Sequence, residues 1–321
     1  MNLASSRHSI LVLVMGAMLH LLTGCMAFHS GPLPGEPRTA AFTEVNGVRV
    51  RYVDVGKGPA VVLIHGFASS LETWSAITPL LAKGHRVIAL DLKGFGWSGR
   101  PAGDYSPRAQ AELVYALLDE RGIDRAAVVA HSWGASIALE MALEKPERVT
   151  RLALYDAWVY EEQIPTFFIW SRAPGVGETL FSLYYGQRPD ERIAYAFYDK
   201  ERFVTEKLVT EVQRALDRPG TYAAALAAVR GQRYAGVQKL YRTIAQPTLL
   251  LWGREDQVTL LSYGERLSRD LRNARLVTYP QCGHFPMLEA AGPSTNDLLE
   301  FLDQDAAPAQ GAARSTPETE P

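Results

Sequence analysis

The sequence predicts an α/β fold on a mostly parallel sheet, and three observations carry that prediction. Short β-rich runs alternate with segments of helical pattern along most of the chain, as in folds whose strands are joined by helical crossovers. Several of the helical segments open with Pro or with Ser/Thr, the residues that suit a helix start. At 321 residues, with 47% hydrophobic and 21% charged residues, the chain has the length and composition to bury a substantial core.

In chain order the strand-like runs are Arg49 to Val55, Ala60 to Ile64, Arg86 to Leu90, Arg125 to Ala130, Arg151 to Tyr155, Thr248 to Trp252 and Arg275 to Tyr279. Helices are expected over Thr73 to Lys83, Pro107 to Arg121, Ser132 to Lys145, Thr259 to Asp270 and Met287 to Asp303. Right-handed crossovers place them on both faces of the sheet. The alternation breaks between about Trp158 and Tyr234, where no strand pattern occurs and aromatic residues such as Phe167, Phe168, Trp170, Phe181 and Tyr184 crowd together. A helical insertion is expected there, most of its aromatics forming its own core and a few lining a pocket against the sheet.

The chain start has a different character. Arg7 precedes the apolar run Ser9 to Leu19, and no Asp, Glu, Lys or Arg recurs before Glu36, the order of a signal peptide. His20 and Thr23-Gly24 cut the run short of the roughly 20 apolar residues that a spanning helix needs. Leu22-Thr23-Gly24-Cys25 resembles the lipobox of bacterial lipoproteins, which implies cleavage before Cys25 and its lipid modification. Several acyl chains on one cysteine suffice for stable anchoring, and the protein is expected on a membrane of the bacterial cell envelope. Met26 in place of Asp points, by the same resemblance, to the outer membrane of a Gram-negative host. An uncleaved helical anchor is the alternative. Residues 25–40, with three prolines and two glycines after Cys25, read as a tether; residues 304–321, without large apolar side chains, read as a disordered tail.

The expected domain plan is therefore a signal peptide over 1–24, the tether, a core over 41–157, a helical cap over 158–235, the rest of the core over 236–303, and the tail. Thirty-three basic and 35 acidic residues leave a formal charge of −2, with no basic run able to track a phosphate backbone, so no nucleic-acid partner is expected. There is no His-Glu-x-x-His pair, and two cysteines cannot build a Cys-rich zinc site; no metal and no cofactor is expected. With Cys25 acylated, Cys282 has no disulfide partner in the chain.

In open parallel sheets, chemistry collects at the loops that follow the strands. Here those loops carry His65-Gly66-Phe67, Asp91 to Gly99, His131-Ser132-Trp133-Gly134, Gly253-Arg254-Glu255-Asp256 and, near the end, Cys282-Gly283-His284. Gly94-x-Gly96-x-x-Gly99 matches a dinucleotide fingerprint in letters alone: Arg100-Pro101 and Gly103-Asp104 delay any helix to about Pro107, so no helix N-terminus meets a pyrophosphate. Ser132 sits at a sharp strand-to-helix turn. A hydroxyl is a poor nucleophile and needs a base, which in turn needs an orienting acid; His284 and Asp256 follow later strands.

These five loops, in this order over roughly Phe42 to Leu302, resemble the α/β-hydrolase superfamily, including a cap inserted after the sixth strand. The resemblance implies Ser132 as nucleophile, His284 as general base and acid, Asp256 as the acid that holds the imidazole, and the backbone N–H groups of Phe67 and Trp133 as the oxyanion hole. Glu255 and Asp156 compete for the acid's role, because some relatives draw it from the loop after the sixth strand. His131 reads as structural. Ala130 stands where the elbow motif usually has glycine, while Gly134 is retained.

A serine at the elbow, where haloalkane dehalogenases and related epoxide hydrolases carry aspartate, leaves carbonyl chemistry. The leading expectation is hydrolysis of a small carboxylic ester with an apolar acyl or aryl group, monoacylglycerol-like esters included, through an acyl-enzyme. Carbon–carbon hydrolysis of ring-fission products, and amide or N-terminal proline peptide cleavage, stand as alternatives. A non-catalytic binding protein on the same fold is the alternative of another class.

Overall fold

The structure is a computed structural model, and it describes residues 26–304 apart from residue 186. The expected signal peptide, Cys25 and residues 305–321 of the tail lie outside the described residues.

Eight strands form one sheet: β1 (Ala41–Val45), β2 (Val48–Val55), β3 (Ala60–Ile64), β4 (Arg86–Leu90), β5 (Ala126–His131), β6 (Val149–Tyr155), β7 (Thr248–Gly253) and β8 (Ala274–Tyr279). Their spatial order is β1-β2-β4-β3-β5-β6-β7-β8. β1 and β2 pair antiparallel, as do β2 and β4, and every other pairing is parallel. β1 lies outside the expected strands. It is joined to β2 by Asn46-Gly47, both at positive φ, as a two-residue hairpin requires.

The parallel strands are buried on both faces, which is why they read as continuous apolar runs. Val62, Ile64, Ile88, Leu90, Val128, Ala130, Leu250 and Trp252 enter one cluster, with α2 (Pro107–Glu120), α3 (Trp133–Glu144) and Leu267. Their neighbours Val61, Leu63, Val87, Ala89, Ala127, Val129, Leu249 and Leu251 enter a second, with Trp74, Leu81, Met287 and Leu298. A period of two thus supplies two cores. Each fully buried Val, Leu or Ile contributes about 1.5–3 kcal/mol, less the cost of ordering it.

Two expected helices are corrected. Over Thr73 to Lys83 the chain forms a 3-10 turn, Leu71–Trp74, and a short helix α1 (Thr78–Leu81), with Pro79 at the start of the latter. Over Met287 to Asp303 it forms α11 (Pro286–Glu289) and α12 (Ala291–Asp303), broken at Ala290. α10 (Leu261–Asp270) begins after Thr259, whose side chain is used elsewhere.

Between β6 and β7 come α4 (Thr166–Ser171), α5 (Val176–Tyr185), α6 (Asp190–Tyr195), α7 (Lys200–Phe203), α8 (Glu206–Leu216) and α9 (Thr221–Gly231). Their shared core is Phe181, Leu216, Ala225, Leu226 and Val229, with Phe167 and Phe168 against it. The expected tether does not run free in its described part: Met26 packs on this cap cluster, Leu33 is buried, and His29 and Arg100 exchange backbone hydrogen bonds at 2.9 and 2.8 Å.

Candidate active site

β5 delivers Ser132 to the turn ahead of α3. The residue stands at φ +52° and ψ −122°, a region in which a side-chain-bearing residue is strained by roughly 1–3 kcal/mol. Its surroundings enforce the conformation. The Ser132 N–H donates to the Tyr155 carbonyl at 2.9 Å, and its carbonyl accepts from Ala135 at 2.9 Å and Trp158 at 3.1 Å. A Cβ on Gly134 would come within 2.6 Å of the His65 carbonyl oxygen and 2.7 Å of that of Ile64, so the helix side of the elbow must be glycine. Ala130 sits inside β5, in register with Ile64 and Leu154 and without positive φ; its methyl belongs to the core.

Two backbone donors stand beside the serine. Trp133 opens α3, so its N–H belongs to the first turn, where the helix offers no internal acceptor. Phe67 follows Gly66, where a Cβ would lie 3.1 Å from that of Ser132. This turn is held by His65, whose Nδ1 donates to the Gly66 carbonyl at 2.7 Å while Nε2 accepts from Leu92 at 3.0 Å. The ring must be neutral to do both. Burial pushes its pKa down to about 4, against smaller opposing contributions from the Gly66 hydrogen bond and Glu72.

The loops after β7 and β8 bring an acid and a base together: His284 Nδ1 lies 2.8 Å from Asp256 Oδ2. Asp256 Oδ1 accepts from the N–H groups of Val258 at 2.7 Å and Thr259 at 3.0 Å, and Thr259 Oγ1 donates to Oδ2 at 2.5 Å. Burial acts to raise the Asp256 pKa, but the charge of His284, its hydrogen bond and the Thr259 donors outweigh it and hold the carboxyl below its ordinary value.

The competing acids are engaged differently. Glu255 accepts from the Cys282 N–H at 3.0 Å. Asp156, fully buried at φ +44°, accepts from the Gly253 N–H at 2.9 Å through Oδ1. Burial first, and then the charge of Asp256, push its pKa well up, which favours the protonated carboxyl. His131 lends its Nε2 to the His284 carbonyl at 2.8 Å and packs its ring on that of His284 at 4.7 Å between centroids. Burial, followed by the neighbouring His284, keeps it neutral. His131, Asp156 and His284 offer ligand atoms within 4.8 Å of one another; His131 Nε2, Asp156 Oδ1 and His284 Nδ1 make the bonds just given, and His131 Nδ1 and Asp156 Oδ2 are buried without a hydrogen-bond partner.

Ser132, His284, Phe67 and Trp133 all line one cavity of about 700 Å³ between sheet and cap, walled largely by Trp158, Phe167, Phe168, Tyr184, Tyr195 and Phe285. A hollow of about 440 Å³ beside Arg202 and Tyr279 holds none of these site groups. The cap also touches the base loop: His284 donates its N–H to the Ala196 carbonyl at 2.8 Å, and Glu289 accepts from both Gly283 at 2.9 Å and Tyr198 at 2.8 Å. Of the residues singled out in the sequence for the site, Ser132, His284, Phe67 and Trp133 share this cavity and Asp256 is bonded to His284, while no hydrogen bond joins Ser132 Oγ to the His284 ring and Cys25 lies outside the described residues. Sequence reasoning missed Thr259, Ala196 and Glu289. Asp256-x-x-Thr259 ahead of a helix is a local hydrogen-bonding pattern that could have revealed the first; the others rest on cap contacts that no local pattern encodes.

The Asp91 to Gly99 loop is structural. Asp91 accepts from Leu71 at 2.8 Å and Trp97 at 2.7 Å, and a Cβ on Gly96 would fall 2.1 Å from the Asp91 carboxyl carbon.

Comparison with known proteins agrees with this architecture. A profile of the alpha/beta hydrolase fold matches residues 59–291. The chain is 31% identical over 275 residues to the 2-hydroxymuconate semialdehyde hydrolase of Pseudomonas sp. (strain CF600), covering 81% of this chain and 93% of that protein. It is 28% identical over 284 residues to the 2-hydroxy-6-oxo-6-phenylhexa-2,4-dienoate hydrolase of Burkholderia cepacia, covering 83% and 97%. Among solved structures, the meta-cleavage product hydrolase of Pseudomonas fluorescens IP01 superposes with a TM-score of 0.69 at 27% identity, over 82% of this chain and 97% of that one. With eight strands in this order, a strained serine at the elbow and a profile match over most of its length, the chain belongs to the α/β-hydrolase family and is a hydrolase.

Proposed function

We propose that the protein is a serine hydrolase that acts on carboxylic esters with an apolar acyl or aryl group. In this reading Ser132 Oγ attacks the ester carbonyl carbon and its proton passes to His284 Nε2. The tetrahedral oxyanion is met by the N–H groups of Phe67 and Trp133, each such donor being worth about 3 kcal/mol in the transition state. Collapse breaks the ester C–O bond, and His284 returns the proton to the departing alcohol. Water, deprotonated by His284, then cleaves the acyl-enzyme. Asp256 fixes the imidazole with its proton on Nδ1 and balances the charge it acquires.

One observation carries the ester over its rival. A dienoate brings a carboxylate into the cavity, which calls for a cation. Arg192 is the one Lys or Arg among the described lining residues, and part of its donor set is already used: of its five N–H groups, one on Nη1 donates to the Tyr184 carbonyl at 2.8 Å and one on Nη2 to that of Gln187 at 2.7 Å, and the guanidinium lies over the Tyr184 ring. Glu191 lines the cavity beside it. The walls are otherwise mainly aromatic, which suits an uncharged apolar group.

Carbon–carbon hydrolysis of a ring-fission product is the second reading, and the names of the relatives favour it over the ester. It uses the same serine and base; the C–C bond breaks with its electron pair leaving as a dienolate, delocalised onto the conjugated carbonyl and protonated by His284. Purified protein offered p-nitrophenyl esters of increasing chain length and a 2-hydroxy-6-oxo-dienoate separates the two. The ester reading expects turnover of the esters that rises with acyl length; turnover of the dienoate alone would overturn it in favour of the second.

A further inference from the structure

The pair α4 and α5 forms an outward-facing apolar surface on the cap. Trp170 is 61% exposed, Leu183 65%, Val176 48% and Ile169 45%. These are large apolar side chains grouped on two adjacent short helices, where a water-facing surface would carry charge. From Thr166 to Tyr185 the only charged residues are Arg172 and Glu178, and both are turned to partners within the protein. Arg172 pairs with Glu161 at 3.1 Å and donates to the Gln232 carbonyl; Glu178 pairs with Arg230 at 3.0 Å and accepts from the Gly175 N–H at 2.7 Å. Both charges of this segment are therefore offset by a partner of opposite sign.

Met26 packs on the cluster of Phe181, Leu216, Leu226 and Val229, and Phe181 belongs to α5 itself. In sequence, Met26 follows a segment that holds the apolar run Ser9 to Leu19. The catalytic cavity opens here as well: Tyr184 and Tyr195 line it and are themselves exposed on α5 and α6.

We propose that the outer face of α4 and α5 docks on a lipid bilayer, with Trp170 and Leu183 entering the boundary between headgroups and acyl chains. An amphipathic surface held at that depth gains from buried apolar area, and Trp is suited to it because its ring is apolar while its N–H stays near water. The cap is then a fixed platform that turns the cavity mouth toward the membrane. The docking itself is independent of which carbonyl substrate the site cleaves.

Tryptophan quenching tests it without an activity readout. Full-length protein is placed in phosphatidylcholine vesicles with or without bromine on the acyl chains, and the emission of the wild type is compared with that of Trp170→Phe. The proposal expects brominated lipid to quench the wild type and most of that quenching to be lost in Trp170→Phe. Adding Leu183→Trp to the Trp170→Phe chain is expected to restore it; both positions are exposed, so neither change disturbs the core. Equal quenching of wild type and Trp170→Phe would overturn the proposal. So would a Trp170 emission that is already blue-shifted and indifferent to brominated lipid, since the face would then be covered by residues 1–25 or by a second copy of the chain.

Discussion

The backbone N–H of His284 donates to the carbonyl oxygen of Ala196 at 2.8 Å, so the loop that carries the imidazole is pinned by the cap rather than by the sheet alone. Gly283 makes this approach possible, because a Cβ there would lie 2.7 Å from the Ala196 oxygen and 2.8 Å from the Tyr198 nitrogen. Gly283→Ala is therefore expected to part cap and base loop. Such overpacking costs about 1–3 kcal/mol of stability, and turnover should fall more than substrate affinity. Thermal unfolding together with separate kcat and KM values checks both.

Asp256 and Asp156 are pushed in opposite directions, the first toward its charged form and the second toward its neutral one, and that sets apart their substitutions. Asp256→Asn removes the carboxylate that holds His284 in the productive tautomer and should lower kcat/KM by ~10³-fold or more. Asp156 does not touch His284 through a hydrogen bond, its surroundings favour the neutral carboxyl, and an asparagine oxygen can still accept from Gly253, so Asp156→Asn should remain within a few-fold of wild type, about 1 kcal/mol or less in barrier. Equal losses in the two variants would contradict the assignment of the acid.

Thr259 acts on the imidazole through Asp256. Thr259→Val removes the hydroxyl donor at 2.5 Å and is expected to cost about tenfold in kcat with KM little changed. Thr259→Ser should recover most of it, which a purely structural role of the methyl group would not allow.

His65 gives the fold an acid sensitivity. Its native pKa of about 4 lies below the unfolded value near 6.5, so the unfolded chain binds the proton first as pH falls. The stability tied to neutral His65 is fully present above pH 6.5 and is lost as pH falls toward 4, by about 3 kcal/mol. Buried Asp91, raised to about 6 chiefly by burial, acts oppositely, its contribution declining as pH rises from about 4 to 6. Denaturant unfolding of wild type and His65→Gln at pH 7 and pH 4.5 isolates the first effect: the advantage of the wild type should shrink at the lower pH.

The parallel strands and the elbow were legible because their signals are local: apolar runs for strands covered on both faces, and Ser132 and Gly134 at a strand-to-helix turn. β1 was legible too, since Asn46-Gly47 between β-rich runs is a hairpin signal, but it was passed over. Which acid serves His284 was not fixed by chain order. β6 and β7 are neighbours, with Tyr155 opposite Leu251, so the loops that carry Asp156 and Asp256 end side by side and only the geometry distinguishes them. The cap contacts of Ala196 and Glu289 escaped because they join segments about 90 residues apart and the cap contributes only backbone groups to them, which leave no mark on residue type.

The claim on which the account rests is that Ser132 is the nucleophile. A fluorophosphonate probe, followed by peptide mass mapping, tests it directly. Wild type and Ala130→Gly should carry one adduct on the peptide containing Ser132, and Ser132→Ala, folded to the same melting temperature, should carry none. Labelling of Ser132→Ala to the same extent, or an adduct mapped to another residue, would contradict the account.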